Sequence, residues 1–96
     1  MTELIYGEKA YADLARIAQK QAEMGEERLK DLQREREENH KLLEHLAKTL
    51  GKNSSEYKKA LEKEREIDSQ ILSIRQEIAE SYKKAKEYAN ELAIQN

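Results

Sequence analysis

Apolar residues recur at alternating intervals of three and four in two long stretches, and a single cluster of turn-forming residues, Gly51-Lys52-Asn53-Ser54-Ser55, separates them. In the first stretch the stripe runs through Leu4, Tyr11, Ala15, Ala18, Ala22, Gly25, Leu29, Leu32, Arg36, Asn39, Leu43, Leu46 and Leu50. In the second it runs through Tyr57, Ala60, Glu64, Ile67, Ile71, Ile74, Ile78, Ser81, Ala85, Tyr88 and Leu92. That spacing is the seam of a helix packing along another helix. It predicts an all-α chain of one domain: a first helix over about 8–50, a turn at 51–54 and a second helix over about 54–94. At the rise of an α-helix each arm is roughly 60 Å long. Equal arms fold back on each other as an antiparallel, coiled-coil-like hairpin.

The turn carries its own signals. Gly51 adopts the left-handed backbone that ends a helix, and Asn53 or Ser54 caps the next one, with Glu56 placed to complete a capping box with Asn53. Folding the arms about this turn so that Leu50 meets Tyr57 gives paired residue numbers that sum to about 107. Ala18 then faces Tyr88, and Gly25 falls near Ser81 and Tyr82, a packing reason for a glycine in mid-helix.

In the same register, residues 33–41, Gln-Arg-Glu-Arg-Glu-Glu-Asn-His-Lys, carry no apolar side chain yet face Ile67, Ile71 and Ile74. An isoleucine stripe left wet forgoes about 1.5–3 kcal/mol per residue, so the pattern predicts that something else covers it. Off the seam, Leu14, Ile17 and Met24, with Leu61 and Leu72 on the second arm, also make the apolar faces wider than a two-helix contact requires. A homodimer forming a four-helix bundle answers both features, with Ile67, Ile71, Ile74 and Ile78 at the interface. Arg36, Asn39, His40 and Glu64 form a polar waist that sets register or recognises a partner.

Composition excludes more than it identifies. The 96 residues are 40% charged, with three Gly and no Pro, Val, Phe, Trp or Cys, which rules out a strand-rich fold, disulfides and thiolate chemistry. The net charge is −2, and basic and acidic groups are interspersed through both halves. No basic face forms, so nucleic acid is not an expected partner. Apolar runs are too short for a transmembrane span or a signal-peptide core, so no membrane partner is expected and the expected location is the cytoplasm.

Chemical motifs are sparse. Glu37-Glu38-Asn39-His40 contains the Glu-x-x-His spacing by which one helix offers a carboxylate and an imidazole to iron or manganese, and Glu64 would add a carboxylate across the hairpin. That makes a dimeric carboxylate-bridged metal protein, using Glu37, His40 and Glu64, the alternative reading. There is no phosphate loop, nucleophile elbow or catalytic triad, so no enzyme activity and no cofactor are expected. The leading expectation is a non-enzymatic protein–protein interaction module, an adaptor, assembly factor or chaperone-like hairpin, that binds itself and another protein. A small helical inhibitor of a larger enzyme shares the same architecture.

A helical hairpin of this size resembles the small helical substrates of type VII secretion, which pair as four-helix bundles. The Trp-x-Gly turn of that family is replaced here by Leu50-Gly51-Lys52-Asn53-Ser54. Its Tyr-x-x-x-Asp/Glu tail is also lacking, since Tyr82 leads to Lys86 and Tyr88 to Leu92. The single Glu-x-x-His likewise resembles the two-helix ferritin-like proteins without their matching set. Neither likeness assigns a family.

Overall fold

In the computed structural model, which describes residues 2–95 and the side chains of residues 10–94, the chain forms two α-helices packed antiparallel as a hairpin. Helix α1 spans Thr2–Thr49 and α2 spans Ser55–Gln95. Helix α1 therefore begins about six residues earlier than expected, because Glu3, Leu4, Ile5 and Tyr6 are compatible with helix even where the seam spacing is interrupted. The side chain of Leu4, the first residue of the expected seam, lies outside the described ones.

The chain reverses over Leu50–Ser54. The amides of Leu50 and Gly51 both donate to the carbonyl of Leu46, at 2.8 and 3.0 Å, and Gly51 takes φ +86°, the left-handed conformation. Ser54 caps α2: its Oγ accepts from the amide of Tyr57 at 3.2 Å and donates to the carbonyl of Gly51 at 2.9 Å. Because Ser54 rather than Asn53 is the cap, the third helical position falls on Tyr57, and the reciprocal bond expected of Glu56 does not form. Glu56 remains in the first turn of α2, where its charge complements the helix dipole.

Leu50 is part of this reversal and is 56% exposed, so it is not a seam residue. The turn is centred near Lys52, and pairing starts one helical turn earlier than an alignment of Leu50 with Tyr57 requires. The two arms are thus displaced by about four residues from the expected register. The closest side chain to Gly25 is that of Ile78, and the Tyr88 ring packs at a tilt on Tyr11, with centroids 6.4 Å apart.

Contacts divide the chain into two compact units, Glu27–Ile74 around the turn, and Met1–Glu26 with Arg75–Asn96. In the turn unit, Leu32, Ile67 and Ile71 form a buried cluster against which Leu29 and Ile74 pack, and Leu43 and Ala60 are buried as well. The expected confrontation of isoleucines with polar residues is corrected by the register: Ile71 and Ile74 meet Leu32 and Leu29. Ile67 and Ile71 are 3% and 7% exposed, packed into the hairpin's own core, while Ile74 and Ile78 of the same stripe are half-buried.

The terminal unit is built differently. Among the described residues its buried apolar side chains are alanines, Ala18, Ala22 and Ala85, while Tyr11, Ala15, Ile78, Tyr88 and Leu92 are half-buried in the seam. Helix α1 runs through Gly25 without interruption. A Cβ at Gly25 would stand 2.7 Å from Cγ1 of Ile78, too close for any carbon contact, so glycine is required there by approach rather than by backbone conformation.

Gly25→Ala gains roughly 1 kcal/mol of helix propensity but must displace a branched side chain, at a cost of about 1–3 kcal/mol. We expect a net loss in urea unfolding followed by helical circular dichroism, and a smaller loss when the same change is made in an Ile78→Ala background. Equal losses in both backgrounds would disprove the clash.

Candidate interaction surface

Two groups of residues are candidates for function, one in each unit. The polar waist lies in the turn unit. Asn39 occupies a seam position and is 5% exposed, and its Nδ2 donates to the backbone carbonyl of Ala60 at 2.9 Å. Losing this acceptor would leave a buried amide unpaired, so the bond stabilises the seam at this position.

Arg36, at the seam position before Asn39, swings to the rim and donates from Nε to Asp68 on α2. That carboxylate holds the guanidinium above its usual range, first through the hydrogen bond and then through its charge. Desolvation opposes the shift and the charge of Glu64 adds to it. The register seen here brings Asp68 alongside Arg36 across the seam.

His40 sits between two carboxylates. Its Nδ1 is 3.0 Å from Oε1 of Glu64, and its Nε2 is 3.3 Å from Oε1 of Glu44, one turn further along α1. An ionised carboxylate only accepts, so either ring nitrogen can donate to the carboxylate it faces. Glu64 is the most enclosed of the group, with its side chain 13% exposed. The juxtaposition of His40 and Glu64 follows the sequence reading, whereas Glu37 is exposed and makes no contact with either. Among the described residues, no three His, Cys, Asp or Glu side chains converge where a metal ion would be held. Arg36, Asn39, His40, Glu64 and Asp68 form a ladder of contacts across the seam, each spent within the chain.

The second group lies on the outside of the terminal unit. Leu14, Ile17 and Met24 are 40%, 50% and 63% exposed and follow one another at intervals of three and seven on the flank of α1 beside the seam. Their exposure is notable because the same unit buries mainly alanines. Of the other off-seam leucines, Leu61 is half-buried and Leu72 is exposed, both on α2 in the turn unit.

Tyr82 marks the opposite flank of the terminal unit, where its hydroxyl donates to Oε1 of Glu26. The phenol is raised above its usual range, first by that bond, then by desolvation and by the charges of Glu26 and Glu23. Tyr82, which the spacing places near Gly25, bonds the carboxylate of the residue that follows that glycine.

A shallow depression of about 370 Å³ on α2 is lined by Ser55, Lys58, Lys59, Leu61, Glu62 and Arg65. It is open to solvent and edged by long charged side chains. Among the described residues, no helix is long and apolar enough to cross a membrane.

Compared with protein-family models, curated proteins and solved structures, the chain matches none.

Two measurements test this geometry. Asn39→Ala should cost about 1 kcal/mol in urea unfolding, while Asp68→Ala, which breaks an exposed pair, should cost less, and its effect should shrink further in high salt. An Asp68 effect larger than that of Asn39 would reverse the ranking. In an ultraviolet titration of the tyrosines, one phenol should ionise later than the rest, and Glu26→Gln should return it to the others. A raised phenol stabilises the fold below its unfolded pKa and loses that contribution as pH rises through the folded value, so any effect of Glu26→Gln on stability should fade in strongly alkaline solution.

Proposed function

We propose that the protein is a non-enzymatic interaction module, a helical hairpin that associates with itself and in that form presents its charged outer faces to another protein. One observation carries the proposal: in the terminal unit, Leu14, Ile17 and Met24 face outward while the buried apolar positions are alanines. Alanine contributes little transferable surface, so this unit gains less from its own seam than the Leu and Ile cluster gains in the turn unit. Small helical scaffolds commonly add stability by oligomerising, and large exposed apolar patches mark the surfaces through which they do so.

The polar waist supports the same reading by default of another role. Asn39, Arg36, His40 and Glu64 are engaged within the chain, an arrangement suited to holding one register so that the outer faces stay in place. Dimerisation into a four-helix bundle is part of this proposal, with its contact moved from the isoleucine stripe to the outer flank of α1.

The test is solution mass by light scattering coupled to size exclusion. We expect the wild-type chain to exceed monomer mass, and the combined variant Leu14→Ser, Ile17→Ser, Met24→Ser to fall to monomer with its helicity intact. A wild-type chain that is monomeric throughout, or a triple variant with unchanged mass, would refute self-association through this flank.

A further inference from the structure

The flank that carries Leu14 and Ile17 is patterned like a second seam. Ala10, Leu14, Ile17, Gln21 and Met24 alternate at intervals of four and three, and all are exposed. On a helix that spacing gives one continuous row about four turns long. It borders the buried row Tyr11, Ala18, Gly25 on one side and a charged row containing Asp13 and Lys20 on the other. The first half of α1 therefore has two adjacent apolar rows, of which the hairpin covers one.

The charged row indicates what covers the other. In a parallel pair of helices, the row beside a seam faces the opposite flank of the partner, which here is the row of Tyr11 and Ala18, without charge. In an antiparallel pair the row faces itself. Asp13 and Lys20 are seven residues apart and opposite in sign, so two copies of the row are complementary in one register: Leu14 against the partner's Ile17, with Asp13 beside the partner's Lys20 and Lys20 beside the partner's Asp13. Sliding one copy by a heptad sets Leu14 against the partner's Met24 but brings Lys20 against the partner's Lys20, and the like charges disfavour it. Asp13 already holds Arg16 of its own helix at 3.1 Å. That pair is highly exposed, with the arginine side chain 76% accessible, and leaves the second carboxylate oxygen free for a further cation.

We infer that the outer flank of α1 binds a second copy of this chain, α1 against α1 in antiparallel orientation, with the two-fold axis passing between Leu14 and Ile17. The inference rests on the self-association proposed above and adds its geometry: an isologous contact in which each residue meets its counterpart twice. The α1 helices pair through their outer row while each keeps its own α2 on the inner one.

Sedimentation velocity over three decades of protein concentration, on the full chain with helicity checked for every variant, separates the possibilities. Lys20→Asp sets carboxylate against carboxylate at both symmetric positions, and should weaken the dimer about tenfold or more; Asp13→Lys should do the same with ammonium groups. The double variant Asp13→Lys, Lys20→Asp exchanges the signs and should restore the affinity to within about threefold of the wild type. If the single variants have no effect, or the double variant is as weak as either of them, the antiparallel pairing is wrong while a concentration-dependent mass still upholds self-association. A wild-type mass that stays monomeric at every concentration overturns both, and assigns the row to a different protein.

Discussion

Where the chain reverses determines which side chains meet, and the reversal is set by a few backbone bonds at Leu46, Gly51 and Ser54. Two helices with seams of three-and-four spacing can slide past one another by a seam step and still put apolar row against apolar row. The turn removes that freedom. Centring it near Lys52 instead of a residue or two later moves one arm by a whole helical turn, and that movement brings Leu29 and Leu32 onto Ile74 and Ile71. In this alignment the buried amide of Asn39 is satisfied by the carbonyl of Ala60.

Periodicity made the seam legible in the sequence almost residue by residue. Of the seam positions whose side chains are described, all but Arg36 and Leu50 are buried or half-buried, because burial on a helix follows from spacing alone. Register was not legible, for the reason above: the pattern is nearly invariant under the displacement that separates the right pairing from the wrong one. The displacement changed what depends on pairing, including the residues facing Ile71 and Ile74 and the close neighbour of Gly25. What would have corrected it was local. Reading Ser54 as the cap and Gly51 as the last residue whose amide bonds back to Leu46 places the centre of the turn, and with it Asp68 beside Arg36.

His40 and Glu64 are instructive because their contact survived the misplaced register. They are separated by about two turns of possible slippage, and a long acidic side chain reaches a ring from more than one position. Contacts between long polar side chains at the rim are therefore weak evidence for any register. The glycine is the opposite case: Gly25 tolerates only one depth of approach, and the atom it admits, Cγ1 of Ile78, identifies the alignment.

The contrast between the two units bears on function. In the turn unit, leucine and isoleucine fill the seam and the polar waist closes its rim, so most of its recognisable features are explained by folding. Among the described residues of the terminal unit, the α1 side of the seam is filled by alanine, glycine and tyrosine, and Leu14, Ile17 and Met24 of α1 stand outside it. A chain selected only to make a hairpin gains nothing from this arrangement, since moving Leu14 and Ile17 into the seam would bury more apolar surface at the same length. Small residues in the inner row and large ones in the outer row are what two neighbours of different closeness require: one helix drawn in tightly at Gly25, and another packed at an ordinary distance on Leu14 and Ile17. The asymmetry of side-chain size between the two rows of α1 is thus itself an argument that this helix is meant to be covered twice.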